Sequence, residues 1–385
     1  MLAWTVLHLT KKVIALTDSE VIMNYKILVI NPGSTSTKIS LFENRSEIFT
    51  KNFEHPIEVI EKFENVEEQL QMRKKLVVEF LRERDFNAKD LSAVVARGGM
   101  LPPVKPGAYE INDLMVDRVI NRPIMEHASN LAAPIAYEIA KEAGVPSYIY
   151  DSVMADELTD IARISGMPEI PRTSASHVLN TRAMAIEAAG KRGKKYSELN
   201  IIVAHLGGGI SMNVHQMGRI VDLISDDEGP FSPERAGRVP CRDLINLCYS
   251  GKYDKKTMHR KLRGNGGLRA YLNTLDAREV QDMIVNGNKE AKLVYEAMAY
   301  QIAKGIGELA TVVKGKVDVI VLTGGIAYSK MLTDWIVERI SFIAPVDVLP
   351  GENEMEALAL GALRVLRGQE TVREYEEKEL ASIVI

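Results

Sequence analysis

Two stretches of the sequence share one order of elements: an apolar strand, a glycine turn and a second strand. The first, residues 27–42, reads ILVINPGSTSTKISLF, and the second, residues 201–216, reads IIVAHLGGGISMNVHQ. β-Branched residues before a turn, followed by alternating apolar and polar residues, are typical of two paired strands. Because each stretch stands near the start of one half, the repeat predicts a duplicated α/β chain with a cleft between the two copies.

Further apolar runs fit the same α/β pattern. Residues 91–96, 146–150 and 317–322 predict buried strands, each followed by a polar or glycine-rich turn. The charged segment 57–85 carries apolar side chains at helical spacing, which predicts one or two amphipathic helices. Another helix is expected over 127–144.

The repeat also indicates a division into domains. We expect residues 24–152, with about 367–385 from the C-terminus, to form the first domain and residues 153–366 the second. The boundary falls within 152–198, where helices are compatible with either copy. Residues 1–23, whose lysines follow rather than precede an apolar start, are a candidate N-terminal extension and not a signal peptide.

The composition argues against several classes of protein. The chain has 385 residues, 46% of them hydrophobic and 26% charged, as expected for a globular protein of two domains. Its 48 basic and 52 acidic side chains leave no positive surplus for nonspecific nucleic-acid binding. No apolar run reaches the roughly 18–20 residues of a membrane span. Cys241 and Cys248 form no CxxC pair, which argues against zinc and predicts two buried thiols in a reducing, cytoplasmic compartment.

The densest chemical signal is the first glycine turn, NPGSTSTK at residues 31–38. A tight turn exposes backbone N–H groups, the hydroxyls of Ser34 and Ser36 add donors, and Lys38 adds a cation, a combination that suits phosphate oxygens. The turn is neither a Walker A loop nor a dinucleotide-binding turn, since both glycine spacings are absent. Taken alone, it is also compatible with an ordinary polar hairpin.

Two later turns contain consecutive glycines, so their backbone is not covered by side chains. His205 is followed by Gly207, Gly208 and Gly209, which let the chain approach a ligand closely. Gly324 and Gly325 end a predicted strand at a helix start, where a nucleotide could bind to backbone groups. Taken alone, each turn is equally well explained as a structural bulge or turn.

In this order the three turns resemble the two phosphate loops and the adenosine loop of the ATPase fold shared by actin, sugar kinases and acetate kinase. Within that fold, the sequence resembles the acetate/butyrate kinase family, and its butyrate branch in particular. NPGSTSTK is similar to the family's N-x-G-S-[ST]-S-x-K, HLGGG to H-[LM]-G-x-G, and LTGGIA to its adenosine motif. The segments 126–130, 233–237 and 276–278 also resemble family motifs. The resemblance extends from about Tyr25 to the 360s and implies duplicated ribonuclease H-like domains with an interdomain active site.

The sequence departs from the acetate kinase pattern at two places. Acetate kinases carry H-N-P-x-N where this chain reads EHASN at 126–130, and R-x-V-H-G-G where it reads VARGG at 95–99. The substrate arginine is thereby displaced by about three positions, which leaves Arg97 as its equivalent. Both departures favour the butyrate branch over acetate as the preferred substrate.

The resemblance implies transfer of the γ-phosphoryl group of ATP to a short-chain fatty acid, with Mg²⁺ as cofactor. Arg235 and His177 would contact the transferring phosphoryl group, and Arg97 would pair with the substrate carboxylate. Asp151 would bind Mg²⁺ or position water, and Glu354 would help to hold Mg²⁺. The nucleotide would contact Asn31, Ser34, Ser36, Lys38, His205, Gly207, Gly208, Gly209, Gly324, Gly325 and Ile326.

Family resemblance also implies a homodimer or higher oligomer, and a final helix at Met355–Leu366 that packs back towards the first domain. We expect no nucleic-acid or membrane partner. Two alternatives stay open from the sequence. One is an acetate or propionate kinase, because the phosphate loops are shared. The other is a non-catalytic, actin-like assembly protein that depends on nucleotide, because the fold permits this function.

Overall fold

The computed structural model describes residues 23–377. The candidate N-terminal extension therefore lies outside the described residues, except for Met23. Within residues 23–377 no helix has the length and apolar character needed to span a membrane.

The first sheet has seven strands in the order β12-β5-β6-β4-β1-β2-β3. Its strands are β1 Lys26–Pro32, β2 Ser36–Glu43, β3 Ser46–Glu54, β4 Ala93–Arg97, β5 Ala108–Glu110, β6 Ser147–Tyr150 and β12 Arg373–Glu374. The second sheet has five strands in the order β11-β10-β7-β8-β9. Its strands are β7 Asn200–Leu206, β8 Ile210–Gln216, β9 Arg219–Ile224, β10 Val319–Gly324 and β11 Val346–Pro350.

Thirteen α-helices connect and cover the sheets of the described chain. They are α1 Ile57–Ile60, α2 Leu70–Arg82, α3 Asp113–Asn121, α4 Ala132–Ala143, α5 Asp160–Arg163, α6 Val178–Lys191, α7 Cys241–Cys248, α8 Lys255–Leu262, α9 Gly267–Leu272, α10 Ala277–Val285, α11 Lys289–Val312, α12 Lys330–Ile340 and α13 Glu354–Leu366. Short 3₁₀ turns lie at Glu67–Gln69, Ala88–Asp90, Ala128–Leu131, Tyr196–Glu198 and Gly325–Tyr328.

The two sheets repeat one topology. In each, the first strand pairs antiparallel with the strand that follows it and parallel with a later one: β1 with β2 and β4, and β7 with β8 and β10. The order β3-β2-β1-β4-β6 thus matches β9-β8-β7-β10-β11, with β5 and β12 added at one edge. The strand–turn–strand repeat in the sequence therefore corresponds to equivalent positions in two sheets.

Two helices lie where the halves of the chain meet. α6 packs against β7 and β10 of the second sheet, and α13 packs against β1, β4 and β6 of the first. Leu358, Ala359 and Ala362 of α13 are fully buried in that contact. The final helix packs on the first domain, as expected, although the division drawn from the sequence placed it in the second. We therefore propose that the first domain comprises residues 24–152 and 354–377.

The structure tests two other sequence expectations, confirming the first and contradicting the second. The helical segment 57–85 is one turn, α1, and one regular helix, α2, joined by an irregular stretch and a 3₁₀ turn. Cys241 and Cys248, predicted to be buried, are both exposed at the ends of α7. Every residue of that helix is exposed or only partly buried, so its position gives the thiols no core to enter.

Candidate active site

The first glycine turn and the turn after β10 line one cavity of about 700 Å³. Asn31, Ser36 and Lys38 of the first turn line it together with Gly325 and Glu354. Ser34 lies at the exposed tip of the same turn. Residues from opposite ends of the chain therefore form one cleft, as the family resemblance implies.

A second cavity of about 750 Å³ adjoins the first and shares Gly325 and Tyr328 with it. Ile326, Asp276 and Arg278 also line it. The first cavity carries hydroxyls, a lysine and several carboxylates, whereas this one combines its polar side chains with the apolar groups of Leu275, Ala277 and Ile326 and with glycine backbone. The pair suits a ligand with a phosphate end and a flat, less polar end.

The two glycine turns of the second half, after β7 and after β10, approach each other closely through their backbones. Gly324 has a φ of 88°, and a Cβ built there would lie 2.4 Å from the carbonyl oxygen of Leu206. A side chain at this position would therefore separate the adenosine-type turn from the strand end that precedes Gly207. Glycine is required here by both the conformation and the close approach.

Glu354 links the cleft residues of the first domain. Its Oε2 accepts hydrogen bonds from Asn31 Nδ2 at 2.7 Å and from Arg97 at 3.1 Å. It is the first residue of α13, where the helix N-terminus favours a carboxylate. Arg97 ends β4, so Glu354 places a substrate-type arginine beside the first turn.

The acidic groups of the cleft fit a Mg²⁺ ion. Burial, and secondarily the charge of Glu354, raise the pKa of Glu352, so these two carboxylates face the same region. Within residues 23–377 no group of three His, Cys, Asp or Glu side chains could hold a metal without further ligands. Mg²⁺ commonly takes one or two carboxylates and completes its shell with phosphate and water oxygens. Glu354 and Glu352 are therefore two cleft carboxylates that could bind Mg²⁺.

His177 and His205 are brought together behind this cleft. Asn180 Nδ2 donates to the Glu352 carbonyl at 2.7 Å, so its Oδ1 must accept from His205 Nδ1, also at 2.7 Å. His205 therefore carries its proton on Nδ1 and presents a lone pair on Nε2. Burial lowers the pKa of His205 to about 4, so the ring is neutral at pH 7.

His177 has the opposite tautomer. Ser211 Oγ accepts the backbone N–H of His177 and lies 2.8 Å from its Nδ1. Ser211 is fully buried and has no other acceptor among the described residues, so its hydroxyl donates to Nδ1. His177 thus keeps its proton on Nε2. Burial, then the neighbouring His205, Arg235 and Arg97 side chains, hold its pKa well below the usual value.

Arg235 packs against the second glycine turn. A Cβ built on Gly209 would lie 2.6 Å from its Nη1, so the guanidinium lies directly over the glycine backbone. The Arg235 backbone N–H donates to Ser232 Oγ, and that hydroxyl donates to the carbonyl of Gly208. Its guanidinium contacts Asp226, and burial lowers its pKa to about 10, so it remains a cation.

Two residues of this cluster were not identified from the sequence. His127 is neutral because burial, then the charges of Arg97 and Arg263, lower its pKa. Arg263 lies 3.8 Å from Asp226 and is paired across a β-bridge with Arg235. The EHASN departure is a sequence signal for His127, whereas nothing in the sequence around Arg263 marks it.

Asp151 is not brought together with the other predicted residues. Its carboxylate is buried, accepts two hydrogen bonds of 3.0 Å from Arg182, and accepts the Gly107 N–H at 2.7 Å. It lines a cavity between α6 and α13 that adjoins the cleft at Asn353 and Glu356, but it does not line the cleft itself. The catalytic or metal role predicted for Asp151 would require this ion pair to break.

The remaining arrangement can hold two anions close together. Arg97, Arg235 and Arg263 supply positive charge, while His177 supplies a neutral N–H donor. Such groups stabilise charge on a phosphoryl group without a strong base. The site is therefore suited to a reaction between a phosphate and another anion.

Comparisons with known proteins agree with this geometry. A sequence model of the acetokinase family matches residues 173–347. Butyrate kinase 2 of Clostridium acetobutylicum is 48% identical over 355 residues, which cover 92% of this chain and 100% of that protein.

Two solved structures have the same fold. The acetate kinase of Porphyromonas gingivalis matches with a TM-score of 0.75 at 19% identity, over 89% of this chain and 100% of that one. A propionate kinase from Francisella tularensis matches with a TM-score of 0.71 at 17% identity, over 88% and 98% of the two chains. The predicted fold, two duplicated actin-like α/β domains, is confirmed.

Proposed function

Because this chain belongs to the acetokinase family, we propose that it transfers the γ-phosphoryl group of ATP to a short-chain fatty acid, with butyrate as the preferred substrate. The products are butyryl phosphate and ADP. The similarity to a butyrate kinase over nearly the whole chain supports the choice of acid.

The convergence of Arg97, Arg235 and His177 carries this proposal. Arg235 and Arg97 both lie close enough to His177 to lower its pKa, after the larger effect of burial. Arg97 ends a strand of the first sheet, whereas Arg235 lies against the turn that follows β7 of the second. A phosphate bound by one half and a carboxylate bound by the other would therefore meet at His177.

The acceptor needs no general base. A fatty-acid carboxylate is already ionised at neutral pH, so the protein must instead reduce repulsion between two anions. We assign Arg97 to the substrate carboxylate, because its planar fork suits two oxygen atoms. Arg235 and the Nε2–H of His177 contact the oxygens on which charge develops during transfer.

The nucleotide occupies the two adjoining cavities. Its phosphates contact the turn at 31–38, which lines the first cavity, and its adenosine contacts Gly325 and Ile326, which line the second. The further assignment of the glycines 207–209 to the phosphates and of Gly324 to the adenosine rests on the family resemblance. Mg²⁺ bound through Glu354, with Glu352 beside it, would neutralise phosphate charge. The chain's own groups orient the two substrates, and closure of the cleft would exclude water that competes as acceptor.

The direct test is acyl phosphate formation from Mg-ATP, measured by hydroxamate trapping. Acetate, propionate, butyrate, isobutyrate and valerate are assayed in parallel at matched concentrations. We expect the largest kcat/KM with a four-carbon acid. Neighbouring acids should retain activity, because each buried methylene contributes only about 0.8 kcal/mol.

The outcomes separate the function from the choice of substrate. A strict preference for acetate or propionate would overturn butyrate as the proposed substrate but would leave the proposed kinase activity in place. Nucleotide-dependent sedimentation without any acid-dependent turnover would favour the assembly protein instead. Arg235→Ala should abolish transfer while leaving the thermal stability unchanged, which would show that the lost activity is not a loss of fold. The oligomeric state remains a prediction from the family, which sedimentation would test in the same samples.

A further inference from the structure

Arg73, on α2, is a fully buried cation beneath the first glycine turn. Its Nη1 donates to the carbonyls of Gly33 at 2.9 Å and Ser36 at 2.7 Å, and to Thr37 Oγ1 at 2.9 Å. Its Nη2 donates to the carbonyl of Ser34 at 3.2 Å. One guanidinium thus binds three of the four carbonyl groups in residues 33–36.

The fourth carbonyl of the turn accepts a hydrogen bond from the residue that follows β3. The backbone N–H of His55 donates to the carbonyl of Thr35 at 2.7 Å. The carbonyls of residues 33–36 are therefore all held by protein groups. In a planar trans peptide, the N–H of the next residue points away from the preceding carbonyl. Holding the carbonyls of Gly33 and Ser34 therefore directs the N–H groups of Ser34 and Thr35 the other way.

These two N–H groups are free to bind a ligand. Within residues 23–377, neither the Ser34 nor the Thr35 amide donates a hydrogen bond to a protein acceptor. Both residues are exposed, and the residues that flank them, Gly33 and Ser36, line the cavity that contains Asn31 and Lys38. Adjacent amides that point to one side form a concave site for anions.

The charge of Arg73 has no acidic partner. All its acceptors are neutral, namely backbone carbonyls, the Thr37 hydroxyl and the Gln69 amide oxygen. Within the described chain no carboxylate forms an ion pair with it. Burial lowers its pKa to about 10, so the guanidinium is still charged at pH 7. A buried, uncompensated charge is costly unless another charge is brought near it.

We propose that Arg73 is the positioning residue of the first phosphate loop: it turns the loop amides towards the cleft, and the nucleotide phosphate is the counter-charge that it lacks. The inference rests on the proposed use of ATP at this turn. Arg73 does not touch the nucleotide, since the loop backbone lies between them.

Two substitutions test the inference. Arg73→Met removes the charge and all the donors, while Arg73→Lys keeps the charge and loses the fork that binds three carbonyls. Arg84→Met is the matched control, because Arg84 lies just beyond the C-terminal end of α2 and its Nη1 donates to the Phe80 carbonyl, away from the turn.

We expect Arg73→Met to raise the KM for ATP by about tenfold or more, which corresponds to about 1.4 kcal/mol. The KM for butyrate should change by less than about twofold, because Arg97 and its partner Glu354 are untouched. Arg73→Lys should give an intermediate KM for ATP. A residue that only stabilised the fold would lower the melting temperature without separating the two KM values.

Direct binding separates this inference from the assigned reaction. Isothermal titration with Mg-ADP needs no acid substrate, so it reports on Arg73 even if no fatty acid is phosphorylated. We expect weaker Mg-ADP binding by Arg73→Lys and unchanged binding by Arg84→Met. If Arg73→Met fails to fold, the Mg-ADP affinity and the KM for ATP of Arg73→Lys test the proposal without it. Wild-type affinity in Arg73→Lys, with wild-type KM for ATP, would overturn the proposal.

Discussion

His177 and His205 stack face to face, with ring centroids 4.0 Å apart and ring planes inclined by 13°. Two protonated imidazoles at this distance would repel each other, so the stack requires at least one neutral ring. Burial lowers the pKa of both histidines, which makes both neutral at pH 7. Because Ser211 and Asn180 set opposite tautomers, one ring offers an N–H donor and the other a lone pair. The pair can therefore contact a phosphate and a donor group at the same time.

Replacement of Ser211 by alanine tests the tautomer of His177. Without the hydroxyl, nothing keeps the His177 proton on Nε2, the atom that we assign to the phosphoryl group. We expect Ser211→Ala to lower kcat by about tenfold, a loss of about 1.4 kcal/mol of transition-state stabilisation. The KM for ATP should stay within about twofold, since the loop amides are unchanged.

The matched variant for this prediction is Ser211→Thr, which retains the hydroxyl. It should recover most of the lost kcat if the hydrogen bond matters more than the packing. Equal losses in Ser211→Ala and Ser211→Thr would show that Ser211 serves packing and would contradict the assigned tautomer.

The buried histidines predict how stability depends on pH. His205 has a folded-state pKa of about 4 and His215 of about 3, both lowered from 6.5 chiefly by burial. Between these values and pH 6.5 the unfolded chain binds protons that the folded chain does not. The free energy of unfolding therefore decreases as the pH falls below about 6.5, by up to about 1.4 kcal/mol per pH unit for each histidine.

Urea unfolding at pH 7 and pH 5 measures this loss. His215→Asn removes one titrating ring that lies away from the cleft and is bound by Tyr196 at 2.7 Å. The variant should be less stable at pH 7 but should lose less further stability between pH 7 and pH 5 than the wild type does. If the free energy of unfolding changed between pH 7 and pH 5 by the same amount in His215→Asn and in the wild type, His215 would be protonated at pH 5 in the folded chain as well.

Glu354 predicts a specific effect on Mg²⁺ dependence. Glu354→Gln keeps a hydrogen-bond acceptor for Asn31 but removes the charge that suits a cation. We expect the Mg²⁺ concentration for half-maximal activity to rise by about tenfold at saturating ATP, as about 1.4 kcal/mol of binding is lost. Glu338→Gln, an exposed change on α12, is the control. An unchanged Mg²⁺ requirement in Glu354→Gln would remove Glu354 from the metal site.

The fold was predictable because its signal is local. The alternation of apolar residues in Ile210–Gln216 and the glycines before it fix a strand pair without reference to any distant residue. The same local signal occurs twice, so the duplication follows. Cys241 and Cys248 show the limit of this reasoning, because an apolar residue type predicts burial only on average, and α7 has no core to contact.

The positions of candidate residues were predictable where the residues belong to one local motif, and not where a distant side chain supports them. Asp151 stands at a strand end as predicted, but its partner Arg182 comes from α6, and no spacing rule relates the two. Arg73 occurs in the charged run RKK, where a solvent-exposed arginine is the normal expectation. Its burial depends on the approach of α2 to the first turn, which is a tertiary contact.

The second glycine turn supplies a test of Arg235 that leaves the arginine in place. A Cβ on Gly209 would lie 2.6 Å from Arg235 Nη1 and 2.7 Å from its Cζ, whereas a Cβ on Gly208 would meet no atom closer than 3.9 Å. Neither glycine has a left-handed φ, so alanine strains neither backbone. Gly209→Ala should therefore displace the guanidinium rather than unfold the turn.

We expect Gly209→Ala to lower kcat by about 100-fold, equivalent to about 2.7 kcal/mol, because Arg235 would no longer reach the transferring phosphoryl group. Gly208→Ala should keep kcat at saturating ATP within about threefold, because a Cβ there does not reach Arg235, and a lost phosphate contact would raise the KM for ATP instead. It is therefore the matched control for the effect on kcat. Both proteins should melt near the wild-type temperature, since the end of the Arg235 side chain can move without disturbing the core. Equal kcat values for the two variants would mean that the position of Arg235 over Gly209 does not matter for transfer.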